Sequence, residues 1–295
     1  MSENRGHVSV LYQEILDSLA PRDGGRYIDG TLGAGGHAKG ILQAAFPTGR
    51  LLGLDADASM LPIAAATLGL FGERAELVHS NFARLLDVAA QENFLPVDGI
   101  VLDLGISSIQ LSDAARGFSF LTDGALDMRL NSDAETTAAD LVNSLDETSL
   151  ANLIFRYGEE RASRRIARAI VRARPLATAA QLAQVIERAV GRHGRMHPAT
   201  RTFQAVRIAV NAELQVLEEV LPQIAPALAP GGRIAIISFH SLEDRIVKNF
   251  FRASKELKIV TKRPICPTET EIDSNPKSRS AKLRVAEKVS ERVTR

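Results

Sequence analysis

The run Y-I-D-G-T-L-G-A-G-G-H, residues 27–37, decides how this chain must be read. A short apolar strand at Tyr27 and Ile28 ends in an acid, Asp29, then breaks into a turn holding Gly30, Gly33, Gly35 and Gly36. Glycine permits positive φ and lets the backbone approach a ligand with no Cβ between them. A helix-forming stretch, A-K-G-I-L-Q-A-A, follows, and a second strand at residues 51–54 ends in Asp55. Strand, glycine turn, helix and acid-tipped strand make half of a mononucleotide-binding βαβ unit, whose second acid is placed to accept hydrogen bonds from ribose hydroxyls. The run also fits the dinucleotide pattern G-x-G-x-x-A through Gly33, Gly35 and Ala38, so a nicotinamide cofactor competes. Asp29 argues the other way. A carboxylate there repels a pyrophosphate and suits a ligand with an ammonium group, which favours S-adenosylmethionine. A tight turn with no ligand is the plain alternative.

Outward from this unit the alternation continues. Residues 59–70 read as a helix, 76–79 as a third strand followed by Phe82, and 99–102 as a fourth strand ending in Asp103. Strands alternating with helices predict a parallel sheet covered on both faces. On the N-terminal side, His7 to Leu19 reads as a short amphipathic helix. After residue 105 the rhythm stops, and 105–131 is rich in Gly, Ser, Asp and Phe without a period. From 137 to 191 the pattern is helical, with apolar stripes such as Leu150, Leu153, Ile154 and Tyr157, or Ile166, Ala169 and Ile170,. One long helix from about Arg201 places Phe203, Val206, Val210, Leu214, Leu217 and Leu221 on a single face. It leads through P-G-G into the strongest strand, I-A-I-I-S-F at 234–239. The simplest architecture is a discontinuous sheet domain, 1–110 and 205–295, interrupted by a helical insertion, 111–204. Residues 257–262 and 282–287 read as an antiparallel edge hairpin.

Composition narrows the class. The chain has 295 residues, 45% of them hydrophobic, which suffices for one large domain with an insertion,. No apolar run reaches the ~20 residues that span a bilayer, and the first residues hold no signal core,. Cys266 is the only cysteine, which excludes internal disulfides and cysteine-rich zinc sites,. A cytoplasmic protein is expected. The net charge of +1 conceals a segregation. Residues 75–150 hold three arginines against thirteen acids, whereas 151–210 hold twelve arginines and no lysine against Glu159, Glu160 and Glu187. Residues 246–295 carry thirteen basic side chains against six acidic ones. Separated charge of this kind points to a polyanionic partner; solvated helix faces are the ordinary alternative.

Ligands of open α/β sheets sit beyond the carboxyl ends of the strands. Asp29, Asp55, Asp103 and the tip Ser238-Phe-His240 all lie there. Phe82 is placed to pack on an adenine ring. The loop from Asp103 to Gln110 supplies hydroxyls, an amide and backbone groups. In R-G-F-S-F, residues 116–120, an arginine and two phenylalanines suit stacking on a flipped base, or they anchor the loop in the core. His240 suits proton transfer; it also precedes a helix start with Ser241 as cap and Glu243 and Asp244 in the first turn. His193 and His197 lack the glutamate of H-E-x-x-H, and Gly194 and Pro198 oppose a helix, so no metal is assigned,.

Longer phrases carry a resemblance. D-G-T-L-G-A-G-G-H (29–37), D-G-I-V-L-D-L-G-I-S-S-I-Q-L (98–111), R-G-F-S-F (116–120), Y-G-E-E-R (157–161), H-P-A-T-R-T-F-Q-A-V-R-I (197–208), I-S-F-H-S-L-E-D-R-I-V-K (237–248) and S-R-S-A-K-L-R (278–284) resemble the bacterial RsmH (formerly MraW) methyltransferases. The resemblance implies an α/β fold: a Rossmann-like S-adenosylmethionine-dependent methyltransferase sheet with an inserted all-helical subdomain. It implies methylation of the exocyclic N4 of one cytidine in the decoding region of 16S ribosomal RNA, with S-adenosyl-L-methionine as cofactor. Carried over by motif, Gly35, Gly36, His37, Asp55, Phe82, Asp103 and Gln110 would bind the cofactor. The D/N-P-P-Y/F loop of many amino-methylating enzymes is replaced by D-L-G-I at 103–106. The catalytic contact cannot be copied from those enzymes; Asp103 or nearby backbone carbonyls are expected to orient the amine, with His240 assisting. Arg164, Arg165 and Arg168, on one helical face with Arg161 and Arg172, are the expected RNA contacts, together with Arg201,. The expected partner is the small ribosomal subunit, with no membrane; a homodimer stays open. The rival from another class is a regulatory nucleotide-binding module that transfers no methyl group.

Overall fold

The computed structural model describes residues 9–121, 123–192, 194 and 196–290; His7 and His193 lie outside them. Among the described residues seven strands form one sheet. They are β1 (Arg26–Asp29), β2 (Arg50–Asp55), β3 (Ala75–His79), β4 (Val97–Asp103), β5 (Leu228–Ser238), β6 (Leu257–Ile259) and β7 (Lys282–Lys288), in the spatial order β3-β2-β1-β4-β5-β7-β6. Helices α1 (Tyr12–Leu19), α2 (Gly36–Ala44), α3 (Met60–Leu68) and α4 (Leu85–Gln91) alternate with the first four strands. Then come α5 (Ser108–Ser112), α6 (Ala138–Ser144), α7 (Glu147–Gly158), α8 (Ser163–Ala173), α9 (Ala179–Val190) and α10 (Thr200–Val210). The chain closes with α11 (Glu213–Ala227), α12 (Ser241–Ala253) and α13 (Glu269–Ser274). Among the described residues, no helix is long and apolar enough to cross a membrane.

Two compact units result, Met1–Gly105 with Gln215–Arg295, and Ile106–Leu214. The helical unit thus takes in residues 106–110 and 205–214, which the sequence pattern assigns to the sheet domain. In the sheet unit β1 to β5 pair in parallel, and β7 runs antiparallel to both β5 and β6. The tail is therefore more than an edge hairpin: β7 is an internal strand and β6 alone forms the edge. Side chains alternate between two cores along each strand. Ile28, Leu52, Leu54, Ile100, Leu102, Ile234 and Ile236 face one, with Leu85, Leu221 and Phe251 from the helices. Tyr27, Leu51, Val101, Ala235 and Ile237 face the other, with Ile15, Ile41 and Leu68. Burial on both faces explains the nearly unbroken apolar strands.

The helical unit has a core of its own, in which Ile154, Ile166, Ile170, Leu182, Ile186 and Phe203 meet. Its helices begin on side-chain caps: Thr137 and Thr178 form capping boxes with Asp140 and Gln181, and Asp146 accepts from two amides,. The single long helix expected from Arg201 is two. Asn211 closes α10, and Ala212 adopts the left-handed conformation at φ 49°. The Asn211 side chain bonds Leu130 N–H and the Met128 carbonyl, which pins the break. The apolar face divides accordingly, with Phe203 and Val206 serving the helical core and Leu217 and Leu221 the sheet.

Candidate cofactor site and arginine face

Parallel register brings the strand-end acids of the sheet unit together. Asp29 pairs with Gly53 on β2 and Val101 on β4, so Asp55 and Asp103, two residues further on, project past the same edge. The glycine turn is wired to them. Gly33, at φ 51°, donates its N–H to Asp55 Oδ2 at 2.7 Å. Leu32 N–H reaches the Leu54 carbonyl, and Gly35 N–H the Leu32 carbonyl. Gly35, at φ 81°, is the N-cap of α2, and no side chain caps the amides that follow it. Such uncapped N–H groups, at the positive end of a helix, suit a negatively polarised ligand group. Glycine at 35 also has a cause within the fold. An added Cβ would press on Leu68 at 3.3 Å, and the left-handed φ strains any other residue there, with or without a ligand,. At Gly36 an added Cβ runs into the Ser9 hydroxyl.

Asp55 is committed on both oxygens, since Oδ1 accepts Asp57 N–H at 2.8 Å. Burial raises its pKa against the pull of these two amides. Each oxygen keeps a second lone pair, the capacity a ribose hydroxyl needs. Asp103 has its main-chain N–H bound to Thr31 Oγ1 at 2.6 Å, and its carboxylate is one-quarter exposed. Oδ2 lies 3.5 Å from His37 Nε2, while Oδ1 is buried with no hydrogen bond. His37 is 6% exposed; neither ring nitrogen makes an aligned hydrogen bond, and Tyr12 stacks on it at 6.3 Å. Burial works against its charge, but the negative charges of Asp103, 3.5 Å away, and of Asp29 outweigh it and raise the pKa. Asp29 is 2% exposed and accepts Thr31 N–H on Oδ1. Burial pushes its carboxyl up to about 7, opposed by His37. Phe82 is half-buried in a short turn capped by Asn81, beside Gly30.

Other expected residues take different parts. His240, not Ser241, is the N-cap of α12: its Nδ1 accepts Glu243 N–H at 3.4 Å, and Glu243 Oε2 accepts Phe239 and His240 N–H in return. With Nδ1 accepting, the neutral ring carries its proton on Nε2, 3.2 Å from Glu243 Oε1,. That tautomer has no lone pair left for a substrate proton. Gln110 belongs to the helical unit, where its Oε1 closes the capping box with Ser107. Phe118 is in the helical core. Phe120 stacks on His197 at 4.4 Å and meets Phe203 edge-on at 5.1 Å, and Arg116 bonds the Arg129 and Leu130 carbonyls. These residues anchor their loop. Thr31, Ser9 and Tyr12 join the site without having stood out in the sequence. Thr31 alone had a signal, as the polar residue inside the glycine turn.

On α8, Ile166, Ala167 and Ile170 are buried while Arg164, Arg165, Arg168 and Arg172 are exposed; Arg161, also exposed, lies in the turn before the helix rather than on its face. Ala167 takes the inward place expected for Ala169. Arg168 reaches Glu147 at 3.3 Å. Arg161, Arg164, Arg165 and Arg172 make no ion pair among the described residues. Of the acids next to this face, the Glu160 carboxylate lies 3.9 Å from Arg201 Nη1, which also reaches the Glu159 main-chain carbonyl at 3.3 Å.

Comparison with known proteins adds a second line. The pattern of the MraW methylase family matches residues 4–289. A ribosomal RNA small subunit methyltransferase H from Dehalococcoides mccartyi is 50% identical over 304 residues, covering 97% of this chain and 87% of that protein. Its namesake in Synechococcus elongatus is 51% identical, covering 96% of this chain and 95% of its own. A third, from Geobacter sp. strain M21, is 49% identical, covering 97% and 100%.

Proposed function

Since the chain belongs to the MraW methylase family, we propose that it methylates small-subunit ribosomal RNA at the exocyclic N4 of a cytidine in the decoding region, using S-adenosylmethionine. The observation that carries this reading is the ring of strand-end carboxylates around an uncapped helix start. The residues fit the cofactor on their own chemistry. His37 Nε2 and Asp103 Oδ1 are buried polar atoms without hydrogen bonds, and the uncapped α2 amides have no side-chain acceptor,. Three carboxylates suit a cationic ligand and repel a phosphate. Asp55 would hold the ribose, Phe82 the adenine face, and the α2 amides the carboxylate end. When bound, the cofactor supplies a methyl group activated on a sulfonium.

The chain's own task is then orientation. The amine of cytosine is a poor nucleophile, because its lone pair is delocalised into the ring. An acceptor that draws on its hydrogens turns that lone pair toward the methyl group, and alignment can contribute several kcal/mol, up to roughly 7–11 in favourable cases. Asp103, partly exposed at the tip of β4, is the acceptor we assign. His240 we assign to holding the turn after β5, since its accepting nitrogen is occupied. The methylated amine is acidic and loses its proton without a strong base. Arg164, Arg165 and Arg168 would hold RNA phosphates, positioning the substrate without reading its sequence; Arg201, tied to Glu159 and Glu160, would contribute less.

Small ribosomal particles from cells lacking this protein, incubated with it and the cofactor, then digested to nucleosides, test the reading. The expected product is N4-methylcytidine at a decoding-region position. Methylation of another base or position overturns the assignment, and cofactor binding without any transfer favours the regulatory module.

A further inference from the structure

Asp29 is assigned no contact with the ribose, adenine or carboxylate of the cofactor. It is 2% exposed, and its one hydrogen bond goes to its own turn, from Thr31 N–H to Oδ1. An acid buried this deeply costs stability unless it is neutral or paired. Yet it stands inside a set of titratable groups at the edge where the cofactor would lie. Asp55 on β2 and Asp103 on β4 act on it as like charges, and His37 on α2 as the opposite one. His37 in turn is 3.5 Å from Asp103, stacked on Tyr12 of α1, and unbonded at both nitrogens. His79 on β3 faces Asp55 from the far side. Within the Asp29–His37–Asp103 group, the quarter-exposed carboxylate of Asp103 is the member that reaches solvent.

The proposed reaction changes the charge at this edge. As the methyl group moves, a C–N bond forms and a C–S bond breaks. Sulfur keeps the electron pair, so a sulfonium becomes a neutral thioether, and the amine sheds its proton. Both forms share the adenosine and amino-acid contacts, so only the one positive charge separates them. The ionised acids of the site favour the charged form directly, and a buried titratable acid responds to it by changing its protonation. Resting on the reading above, we propose that Asp29 is a positioning residue that distinguishes the two forms. Capture of the sulfonium drives a proton from the Asp29–His37–Asp103 set to solvent by way of Asp103, and the thioether form lets that proton return. The proton balance is closed, with one leaving on capture and one regained before release.

The direction follows from linkage. A nearby cation favours ionised Asp29 and lowers its pKa, so sulfonium affinity rises with pH where the carboxyl is half-protonated and levels off once it is ionised in the free protein. That window lies near pH 7, because burial holds the free carboxyl at about 7. Titration calorimetry on the full-length protein, at pH 7 in buffers of different ionisation heat, reads the proton directly. The wild type should release up to about half a proton with S-adenosylmethionine at this pH, and clearly less with S-adenosylhomocysteine. The ratio of the two affinities should rise by up to about tenfold per pH unit through that window. Asp29→Asn keeps the acceptor for Thr31 and should bind both ligands with buffer-independent heats and a pH-flat ratio. Equal proton release for the two ligands overturns the proposal, as does a variant that still releases the proton. Should the variant fail to fold, the wild-type comparison decides alone. If the wild type binds neither ligand, the cofactor reading itself is what fails.

Discussion

The sheet unit and the helical unit carry charge in opposite ways. In the sheet unit the functional charges are sunk: Asp29 and His37 are buried, and Asp55 is clasped by two amides. On α8 they stand in solvent, three of its four arginines without an ion pair among the described residues. A buried charge is costly to place and strong in effect, because the surrounding dielectric is low and the geometry is held. An exposed arginine is cheap to place and weak alone, and gains force only as one of several on a polyanion. A small cationic ligand needs the first arrangement and a ribosomal particle the second. Substitutions in the two units should therefore differ most in what they do to folding.

Gly35→Val should be the most damaging. It asks a β-branched residue to adopt φ 81° and brings side-chain atoms against Leu68. The left-handed conformation costs roughly 1–2 kcal/mol and overpacking roughly 1–3 more. Urea unfolding should show a loss of about 2–5 kcal/mol, with cofactor binding lost as well. If calorimetry finds normal binding at normal stability, the turn is not built as described.

Asp29→Asn should move stability the other way, and with a pH signature. A carboxyl raised from 3.8 to about 7 contributes stability that is complete below the unfolded pKa and lost as pH rises through the folded one,. The wild type should thus weaken between about pH 4 and pH 7, by a ceiling of about 4 kcal/mol that pairing with His37 reduces. The amide does not titrate. Thermal unfolding at pH 8 should place the variant above the wild type, and the gap should close toward pH 4. A gap of constant size would mean that Asp29 is ionised throughout.

Asp55→Ala leaves Gly33 and Asp57 N–H without their acceptor. Cofactor affinity should fall by about 1–3 kcal/mol, and stability by a comparable or smaller amount. Unchanged affinity in a folded variant would remove Asp55 from the site.

How much of this is legible in the sequence divides along the same line. The sheet is readable because its apolar strands end abruptly in Asp29, Asp55 and Asp103, and an acid ending an apolar run is a local signal. The insertion is readable because strand periodicity stops after residue 105 and helical periodicity replaces it. What escapes depends on distant partners. Ala212 is a good helix former, and only the Asn211 side chain, bonded to Leu130 N–H and the Met128 carbonyl, shows why the helix stops. His240 looks like chemistry because histidine at a strand tip so often is; that its Nδ1 caps α12 depends on backbone angles no motif announces. Gly35 stands out in the turn, but the atoms that demand glycine belong to Leu68, 33 positions away. The arginine face is legible in outline, since an exposed face has few partners to guess; what escapes is that Ala167 rather than Ala169 turns inward, that Arg161 precedes the helix and that Arg168 finds Glu147.

That face gives the smallest effect on folding and the sharpest test of the contrast. Arg164, Arg165 and Arg168 sit opposite the buried Ile166, Ala167 and Ile170, and of the three only Arg168 has an acidic partner among the described residues, Glu147. Reversing all three to glutamate removes one exposed ion pair and leaves the core intact, so unfolding free energy should change by no more than about 0.5–1 kcal/mol. Cofactor affinity should stay at the wild-type value. Binding to small ribosomal particles should weaken sharply, because three bidentate phosphate donors become repulsive. The slope of log affinity against log salt should also become shallower, by roughly 0.7–0.9 for each phosphate that is no longer neutralised. The slope matters more than the affinity, since misfolding or poorer apolar packing would weaken binding without changing its salt dependence. Should the triple variant bind particles with wild-type strength and slope, α8 is only solvated surface. The polyanion must then run over the other basic stretch, residues 246–295, where Lys255, Lys258, Lys262 and Arg263 are exposed around the edge strand β6.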